Sequence, residues 1–148
     1  MIDLAVNRRT LIPQGPTFVP VACEIVLRGT NAVLRDYQLS PSLIHDGIRR
    51  MKTIGADVVL IDPQFAPKVI VKPEISEMVD LISIAAKQES VDLFRRFTLM
   101  QHWREVEDMP FETFISADGL HMNDWSYDCV AKALAGAIVD ATFDRAQS

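Results

Sequence analysis

The stretch Asp57-Val58-Val59-Leu60-Ile61-Asp62 decides the fold predicted for this chain of 148 residues. It is a short, wholly apolar run between two aspartates. Such a run is typical of a central strand of a parallel sheet, because both faces of that strand are buried. Pro63 follows and ends the run, since proline cannot donate a backbone hydrogen bond to a sheet. We therefore interpret this stretch as a buried strand of an α/β protein.

Helical patterns lie on either side of this strand. Before it, Ser40 and Pro41 suit an N-cap followed by proline in the first helical position, and Gly55 suits the end of the helix. The apolar residues of this helix recur at helical spacing at Leu43, Ile44, Ile48, Met51 and Ile54. After the strand, a helix is predicted over about residues 73–89, and its inner stripe comprises Ile75, Met78, Val79, Ile82 and Ala86.

The remaining pattern also alternates between strands and helices. Residues 19–27 and 92–94 are predicted strands, and residues 97–106 form a predicted helix that is followed by an irregular turn at Met109-Pro110-Phe111. A final helix is predicted from residue 123 or 124 to residue 142, with an inner face of Val130, Leu134, Ala137 and Ile138. Strands and helices in this alternation form a parallel sheet that is sandwiched between helices.

The first 17 residues do not fit the alternation. They contain two prolines and have no clear period. We expect residues 1–17 to be an irregular extension and residues 18–148 to form one domain.

The composition indicates a soluble globular protein. Apolar residues make up 49% of the chain and charged residues 24%. The net charge of -5 argues against nucleic acid or an anionic membrane as the main partner, and no apolar run reaches the length of a membrane span. Residues 1–9 lack the pattern of a signal peptide, so the cytoplasm is the expected location unless an N-terminal signal has been lost.

The two cysteines predict neither a disulfide nor a metal site. Cys23 and Cys129 lie far apart in apolar surroundings, and no second Cys or His lies at ligand spacing. We interpret both as buried thiols of a protein in a reducing compartment. No metal and no cofactor are expected.

The most informative candidate site is the Asp-His loop, Asp118-Gly119-Leu120-His121, which precedes the final helix. At this spacing an aspartate can orient a histidine ring and stabilise its imidazolium form, while the ring acts as a general base. Two structural interpretations stay open, in which His121 bonds a backbone group or Asp118 stabilises the helix through its dipole. Asn123 or Asp124 is a more natural N-cap, which leaves Asp118 for the histidine.

Three polar segments are expected at the carboxyl ends of strands, where α/β proteins place their working residues. They are Gly29-Thr30-Asn31, Asp62-Pro63-Gln64-Phe65 and the Asp-His loop. Because the carboxyl ends of parallel strands lie along one edge of a sheet, the topology predicts that the three segments converge.

Residues 22–141 resemble the C-terminal two thirds of the SGNH (GDSL-type) esterase/lipase family. That family has four sequence blocks: a serine in Gly-Asp-Ser, a glycine, the asparagine of Gly-x-Asn-Asp, and an Asp-x-x-His pair. The Asp-His loop matches the last block, and Gly29-Thr30-Asn31-Ala32 matches the third, with alanine in place of the aspartate. The resemblance implies a three-layer, flavodoxin-like α/β fold with a parallel sheet and helices on both of its faces.

The resemblance also implies the chemistry of a serine ester hydrolase, such as an esterase or deacetylase. Such an enzyme acts on a small ester and needs no cofactor. His121 would then be the general base, and Asp118 would orient its ring. Asn31, in the block that begins with Gly29, would donate its side-chain amide to the oxyanion.

The serine nucleophile of that family is missing from its expected place. The first 28 residues contain no Gly-Asp-Ser and no serine, and the glycine block is not identifiable. Ser116 and Ser126 lie near the Asp-His loop, but neither is on a tight turn between glycines, which is how a nucleophile is normally exposed. We therefore expect a family member that is incomplete at its N-terminus and weakly active or inactive.

Two other functions stay open. The chain could be a non-catalytic remnant or binding module that forms a homodimer or needs a complementing chain to cover exposed sheet edges. A nucleotide- or flavin-binding domain is less favoured, because the sequence has neither Gly-x-Gly-x-x-Gly nor a phosphate-binding lysine loop.

Two histidines and two tryptophans lie outside these motifs. We interpret His45 and His102 as surface residues of helices. Trp103 and Trp125 are interpreted as core or rim aromatics. Trp125 is near enough to His121 in sequence to form part of a pocket wall.

Overall fold

The structure of this protein is a computed structural model. It describes residues 3–14, 17–27 and 40–146, and the side chains of residues 40–141. Gly29 and Asn31 lie outside the described residues, so their expected roles stay predictions.

Four strands form one sheet in the described residues. They are β1 (Asp3–Gln14), β2 (Thr17–Leu27), β3 (Asp57–Ile61) and β4 (Asp92–Phe94), and they lie across the sheet in sequence order. β2 is parallel to β3 and β3 is parallel to β4, whereas β1 is antiparallel to β2. The chain therefore has a mixed α/β fold with a small parallel sheet, to which β1 adds an antiparallel edge.

The expectation of an irregular extension over residues 1–17 is wrong for β1. This strand pairs with β2 along its length, beginning with Asp3 opposite Leu27. The register shifts between Ala5 and Arg8. Such a shift interrupts the two-residue alternation by which a strand is recognised in a sequence, and the period is therefore hidden.

Six helices are present in the described residues. They are α1 (Pro41–Thr53), α2 (Pro67–Ile70), α3 (Ile75–Glu89), α4 (Arg96–Glu105), α5 (Phe111–Phe114) and α6 (Asp124–Ala146). The four long helices confirm the sequence predictions to within a few residues at each end. The short helix α5 begins at Phe111, where the sequence predicts only an irregular turn.

Local sequence explains both ends of α1. Pro41 begins the helix and Ser40 precedes it, although Ser40 Oγ bonds Ser42 Oγ at 2.9 Å and does not cap a backbone N–H. Gly55 has a φ of 78°, a left-handed conformation that glycine adopts without steric cost. The helix therefore ends where the sequence predicts.

The chain divides into two compact units. The first unit (Met1–Pro63 and Lys72–Arg95) contains the sheet, α1 and α3. Within it α1 contacts α3 and β3. Its buried apolar residues include Ile44, Ile48, Val58, Leu60, Ile61, Ile75, Met78, Ile82, Ala85 and Ala86. The predicted inner stripes are thus largely correct, but Leu43 and Ile54, near the ends of α1, are exposed.

The second unit (Gln64–Val71 and Arg96–Ser148) contains α2, α4, α5 and α6. Its buried apolar residues include Phe65, Ala66, Val69, Met100, Phe114, Ile115, Met122 and Val130. The prediction that Ala137 faces inward is wrong, because the buried residues of α6 lie in its first two turns, at Ser126 and Val130. In the described part of the chain, no helix is both long enough and apolar enough to span a membrane.

Candidate active site

The Asp-His loop is the tip of a short antiparallel ladder between α5 and α6. Ile115 bridges Met122 across this ladder, and the N–H of Ser116 donates to the carbonyl oxygen of His121 at 2.8 Å. Ile115 and Met122 are both buried, so the next pair, Ser116 and His121, presents its side chains to the opposite face. The alternation brings His121 to the surface, where 65% of its side chain is exposed.

A left-handed glycine makes the turn at the tip of the ladder. Gly119 has a φ of 68°, and its N–H donates to the carbonyl oxygen of Ser116 at 2.9 Å. A residue with a Cβ atom would be strained in this conformation. The glycine thus permits the tight reversal that brings Asp118 and His121 together.

Asp118 uses both carboxylate oxygens within the loop. Its Oδ1 accepts the backbone N–H groups of Leu120 and His121, each at 2.9 Å. Its Oδ2 lies 2.5 Å from Nδ1 of His121. The structure therefore brings together Asp118 and His121, the two residues that the sequence predicts as orienting acid and base.

The electrostatics of this pair favour an ionised carboxylate. The pKa of Asp118 lies well below its ordinary value, mainly because the His121 ring donates to it and then because the two backbone N–H groups donate as well. A neutral His121 ring that donates from Nδ1 has Nε2 as its acceptor. Since the ring is mostly exposed, Nε2 can accept a proton from a bound molecule.

Asn123, and not Asp118, caps α6. Its side-chain Oδ1 accepts the N–H of Ser126 at 3.1 Å, and the helix begins at the next residue, Asp124. The same side chain donates from Nδ2 to the carbonyl oxygen of Thr113 at 2.9 Å. The prediction that Asn123 or Asp124 is the N-cap is confirmed for Asn123. Asp118 is therefore available for His121.

The two serines nearest the Asp-His loop are held by backbone carbonyl groups. Ser116 Oγ donates to the carbonyl oxygen of Met122 at 3.2 Å. Ser126 is fully buried and donates to the carbonyl oxygen of Phe114 at 2.6 Å. Among residues 40–141, neither hydroxyl is hydrogen-bonded to His121. That neither serine is the nucleophile stays a prediction.

His45 is half-buried, and not the surface residue that the sequence predicts. Its Nδ1 lies 2.7 Å from Oε1 of Glu89, and Arg49 reaches the same oxygen at 2.8 Å. Only 17% of the His45 side chain is exposed. The helix spacing gives no signal of this contact, because α3 supplies Glu89 from a distant part of the sequence. His102 is exposed as expected and pairs with Glu107 at 3.2 Å.

The tryptophans occupy the rim of the second unit, as one of the two interpretations proposes. The rings of Trp103 and Trp125 meet edge to face with centroids 5.1 Å apart, and Trp125 is exposed.

Cys129 is half-buried and not fully buried, and the side chain of Cys23 lies outside the described residues. The described side chains form no group of three or more His, Cys, Asp or Glu that could hold a metal ion.

Sequence reasoning missed the contact that Gln64 makes with the Asp-His loop. Gln64 Nε2 donates a hydrogen bond to the carbonyl oxygen of Leu120, and Gln64 is buried. The sequence predicts that the segment Asp62-Pro63-Gln64-Phe65 lies at the end of a strand. It does not predict the partner of Gln64, because Leu120 is 56 residues away. Whether all three predicted segments converge stays a prediction, since Gly29 and Asn31 are outside the described residues.

Comparisons with known proteins support the fold. No model of a known protein family matches the sequence, and no curated protein matches it significantly. The structure is similar to the crystal structure of the lipase/acylhydrolase from Enterococcus faecalis, with a TM-score of 0.59 and 20% sequence identity. The similarity covers 77% of this chain and 59% of that protein. At this identity the comparison establishes a lipase-like mixed α/β fold.

Proposed function

We propose that this chain is an SGNH/GDSL-type serine ester hydrolase domain that acts on a small acyl ester. The single observation that carries the proposal is the 2.5 Å contact between Asp118 Oδ2 and His121 Nδ1 in an exposed loop. The lipase-like fold supports it, because the same class of fold is found in a lipase/acylhydrolase.

The geometry of the pair suits acid and base steps of ester hydrolysis. In the first step His121 Nε2 takes a proton from an attacking water molecule, whose oxygen bonds to the ester carbonyl carbon. Asp118 stays ionised and stabilises the imidazolium ion. In the second step the imidazolium ion gives its proton to the leaving alcohol, and the carbon–oxygen bond breaks. The histidine ends each cycle in its starting form.

We assign the oxyanion donor to Asn31, in the block that begins with Gly29, and we assign no residue as the nucleophile. The sequence contains no Gly-Asp-Ser. Without a serine hydroxyl beside the general base His121, no acyl-enzyme can form. We therefore propose that this chain by itself gives at most slow hydrolysis of activated esters, and that this hydrolysis depends on His121.

Hydrolysis of p-nitrophenyl acetate tests the role of His121. The rate above background should fall at least about tenfold in His121→Ala, since general acid–base catalysis contributes ~10²–10⁴-fold. His102→Ala is the matched control, because His102 is also exposed and also paired with a carboxylate. Equal rates in His121→Ala and the unmodified chain would overturn the proposal.

Labelling with a fluorophosphonate, followed by mapping of the labelled site, tests for a nucleophile. We expect no serine to be labelled in the folded chain alone. A serine that is labelled in the unmodified chain and in His102→Ala, but not in His121→Ala, would instead identify a working nucleophile and a fully active esterase.

A second candidate is a non-catalytic module that forms a homodimer or binds a complementing chain. The feature that favours it is the absence of serine from residues 1–28, which leaves a serine ester hydrolase without its expected nucleophile. A chain that sediments as a dimer and shows no ester hydrolysis dependent on His121 would favour this candidate over the esterase.

A further inference from the structure

A buried glutamine contacts the candidate active site from a distant part of the sequence. Gln64 follows β3 by three residues and is only 7% exposed. Its Nε2 donates to the carbonyl oxygen of Leu120, inside the Asp-His loop. Because the donor is a buried side chain, this bond constrains the loop more than a bond between two exposed groups would.

The segment that begins with Gln64 contacts the loop a second time. The backbone N–H of Lys68, in α2, donates to the carbonyl oxygen of Gly119 at 3.0 Å. A Cβ atom at Gly119 would lie 3.9 Å from Cγ of Lys68 and 4.0 Å from Cβ of Pro67. Two consecutive carbonyl groups of the loop are therefore bound by residues of one segment.

Gln64 and Asp118 hold opposite ends of the same peptide group. The peptide bond between Leu120 and His121 has its carbonyl oxygen bound by Gln64 and its N–H bound by Asp118 Oδ1. Hydrogen bonds at both ends of one peptide group polarise it and strengthen each other. This peptide group carries the Cα atom of His121, so its orientation sets where the imidazole ring lies relative to Asp118.

We infer that Gln64 is a positioning residue of the candidate active site. It fixes the Leu120–His121 peptide group so that Nδ1 of His121 stays against Oδ2 of Asp118. Its importance for catalysis rests on the proposed function, but the positioning itself does not. The inference therefore has a readout that requires no turnover.

The test uses Gln64→Met, which keeps the length and volume of the side chain and removes its N–H donor. Two local signals are measured by NMR: hydrogen exchange of the Leu120 and His121 amides, and the titration of the Asp118 carboxyl group. Loss of the hydrogen bond from Gln64 to the carbonyl oxygen of Leu120 should speed exchange of these two amides roughly 5- to 30-fold. The pKa of Asp118 should rise, because the His121 ring meets the carboxylate for less of the time.

Gln101→Met is the matched control. Gln101 lies in the same unit, on α4, and its Nε2 donates to the carboxylate of Glu105. This variant makes the same chemical change away from the loop and should leave both signals unchanged. Exchange of the Val130 amide in α6 serves as an internal reference for the stability of the unit.

The outcomes separate the inference from the proposed function. Faster exchange at Leu120 and His121 with an unchanged Val130 supports the positioning role, whether or not the chain hydrolyses esters. Exchange and titration equal to those of Gln101→Met would overturn it, and so would uniform acceleration that includes Val130. Failure of the proposed function would be seen separately, as ester hydrolysis that does not depend on His121.

Discussion

Each oxygen of the Asp118 carboxylate has its own hydrogen-bond partners. Oδ1 accepts the N–H groups two and three residues further on, and Oδ2 accepts from the ring of the third residue. The first two bonds fix the backbone, and the third fixes the ring of His121. All three bonds are local in sequence, which explains why the spacing Asp-x-x-His is enough to predict this half of the site.

Replacement of His121 by alanine should raise the pKa of Asp118 toward the ordinary carboxyl value of about 3.9. The hydrogen bond from the His121 ring is the largest cause of the lowered pKa, and the two backbone N–H groups retain part of the effect. An NMR titration of the Asp118 carboxyl carbon measures the change. His102→Ala should leave this titration where it is in the unmodified chain.

The sign of this shift also fixes how acid acts on the fold. The folded-state pKa of Asp118 lies below its unfolded value, so the ionised carboxylate stabilises the fold above about pH 3.9. That contribution is lost as the pH falls from there through the folded-state pKa. In His121→Ala the contribution should be smaller and its loss complete at a higher pH. The measurement is the free energy of unfolding as a function of pH. If it falls in the same way with acid in both chains, the role given to the Asp118–His121 bond is contradicted.

The residue contacts that the sequence could not predict are the long-range ones. Gln64 and Leu120 are 56 residues apart, and His45 and Glu89 are 44 residues apart. His45 lies on α1, whose own period is correctly predicted, whereas Gln64 lies in the loop between β3 and α2. The period of an element indicates which face is buried, but it does not indicate which distant side chain meets that face.

At the scale of elements, the start of α6 is fixed by two side chains, those of Asn123 and Ser126. Asn123 accepts from the N–H of Ser126 and donates to the carbonyl oxygen of Thr113. Ser126 in turn donates to the carbonyl oxygen of Phe114. These bonds connect the first turn of α6 to Thr113 and Phe114, the last two residues of α5. The Asp-His loop lies between these two helices, so the bonds hold the chain on both sides of it.

Asn123→Ala should destabilise the chain by about 0.5–2 kcal/mol, which is the usual effect of replacing a polar N-cap by alanine. Urea denaturation followed by circular dichroism measures the loss. Asn123→Ser keeps an N-cap acceptor and gives up the bond to Thr113, so it should recover a large part of the stability. Equal midpoints for Asn123→Ala and the unmodified chain would show that another group caps α6.

Elements with local signals were predictable, and elements without them were not. Pro41 at the start of α1, Gly55 beyond its end, and the apolar run of β3 each act within a few residues. β1 has a shifted register between Ala5 and Arg8, so its alternation is broken at that point. The four-residue helix α5 is shorter than the window over which a helical period can be recognised.

At the scale of the whole molecule, β1 is what covers one side of β2. The sheet order β1-β2-β3-β4 leaves β2 bonded on both sides in the described residues. Without β1, the backbone N–H and carbonyl groups along that side of β2 would be unpaired. An unpaired strand of this length is a site for pairing with another chain.

Removal of residues 1–16 should therefore cause self-association that grows with protein concentration. Sedimentation velocity over a range of concentrations measures it against the full-length chain. Thr10→Pro is a second variant that keeps the length of the chain and removes one donor from the strand opposite Val21. A shortened chain that sediments like the full chain at every concentration would show that β1 does not protect β2.

The direction of β1 has a consequence for the engineering of this sheet. Because β1 is antiparallel to β2, Gln14 lies opposite Thr17 and Asp3 lies opposite Leu27. Leu27, Ile61 and Phe94 are the last residues of the three parallel strands. A turn inserted after Gln14 would therefore begin at the end of the sheet away from these three residues, and only the Asp3 end of β1 lies beside them.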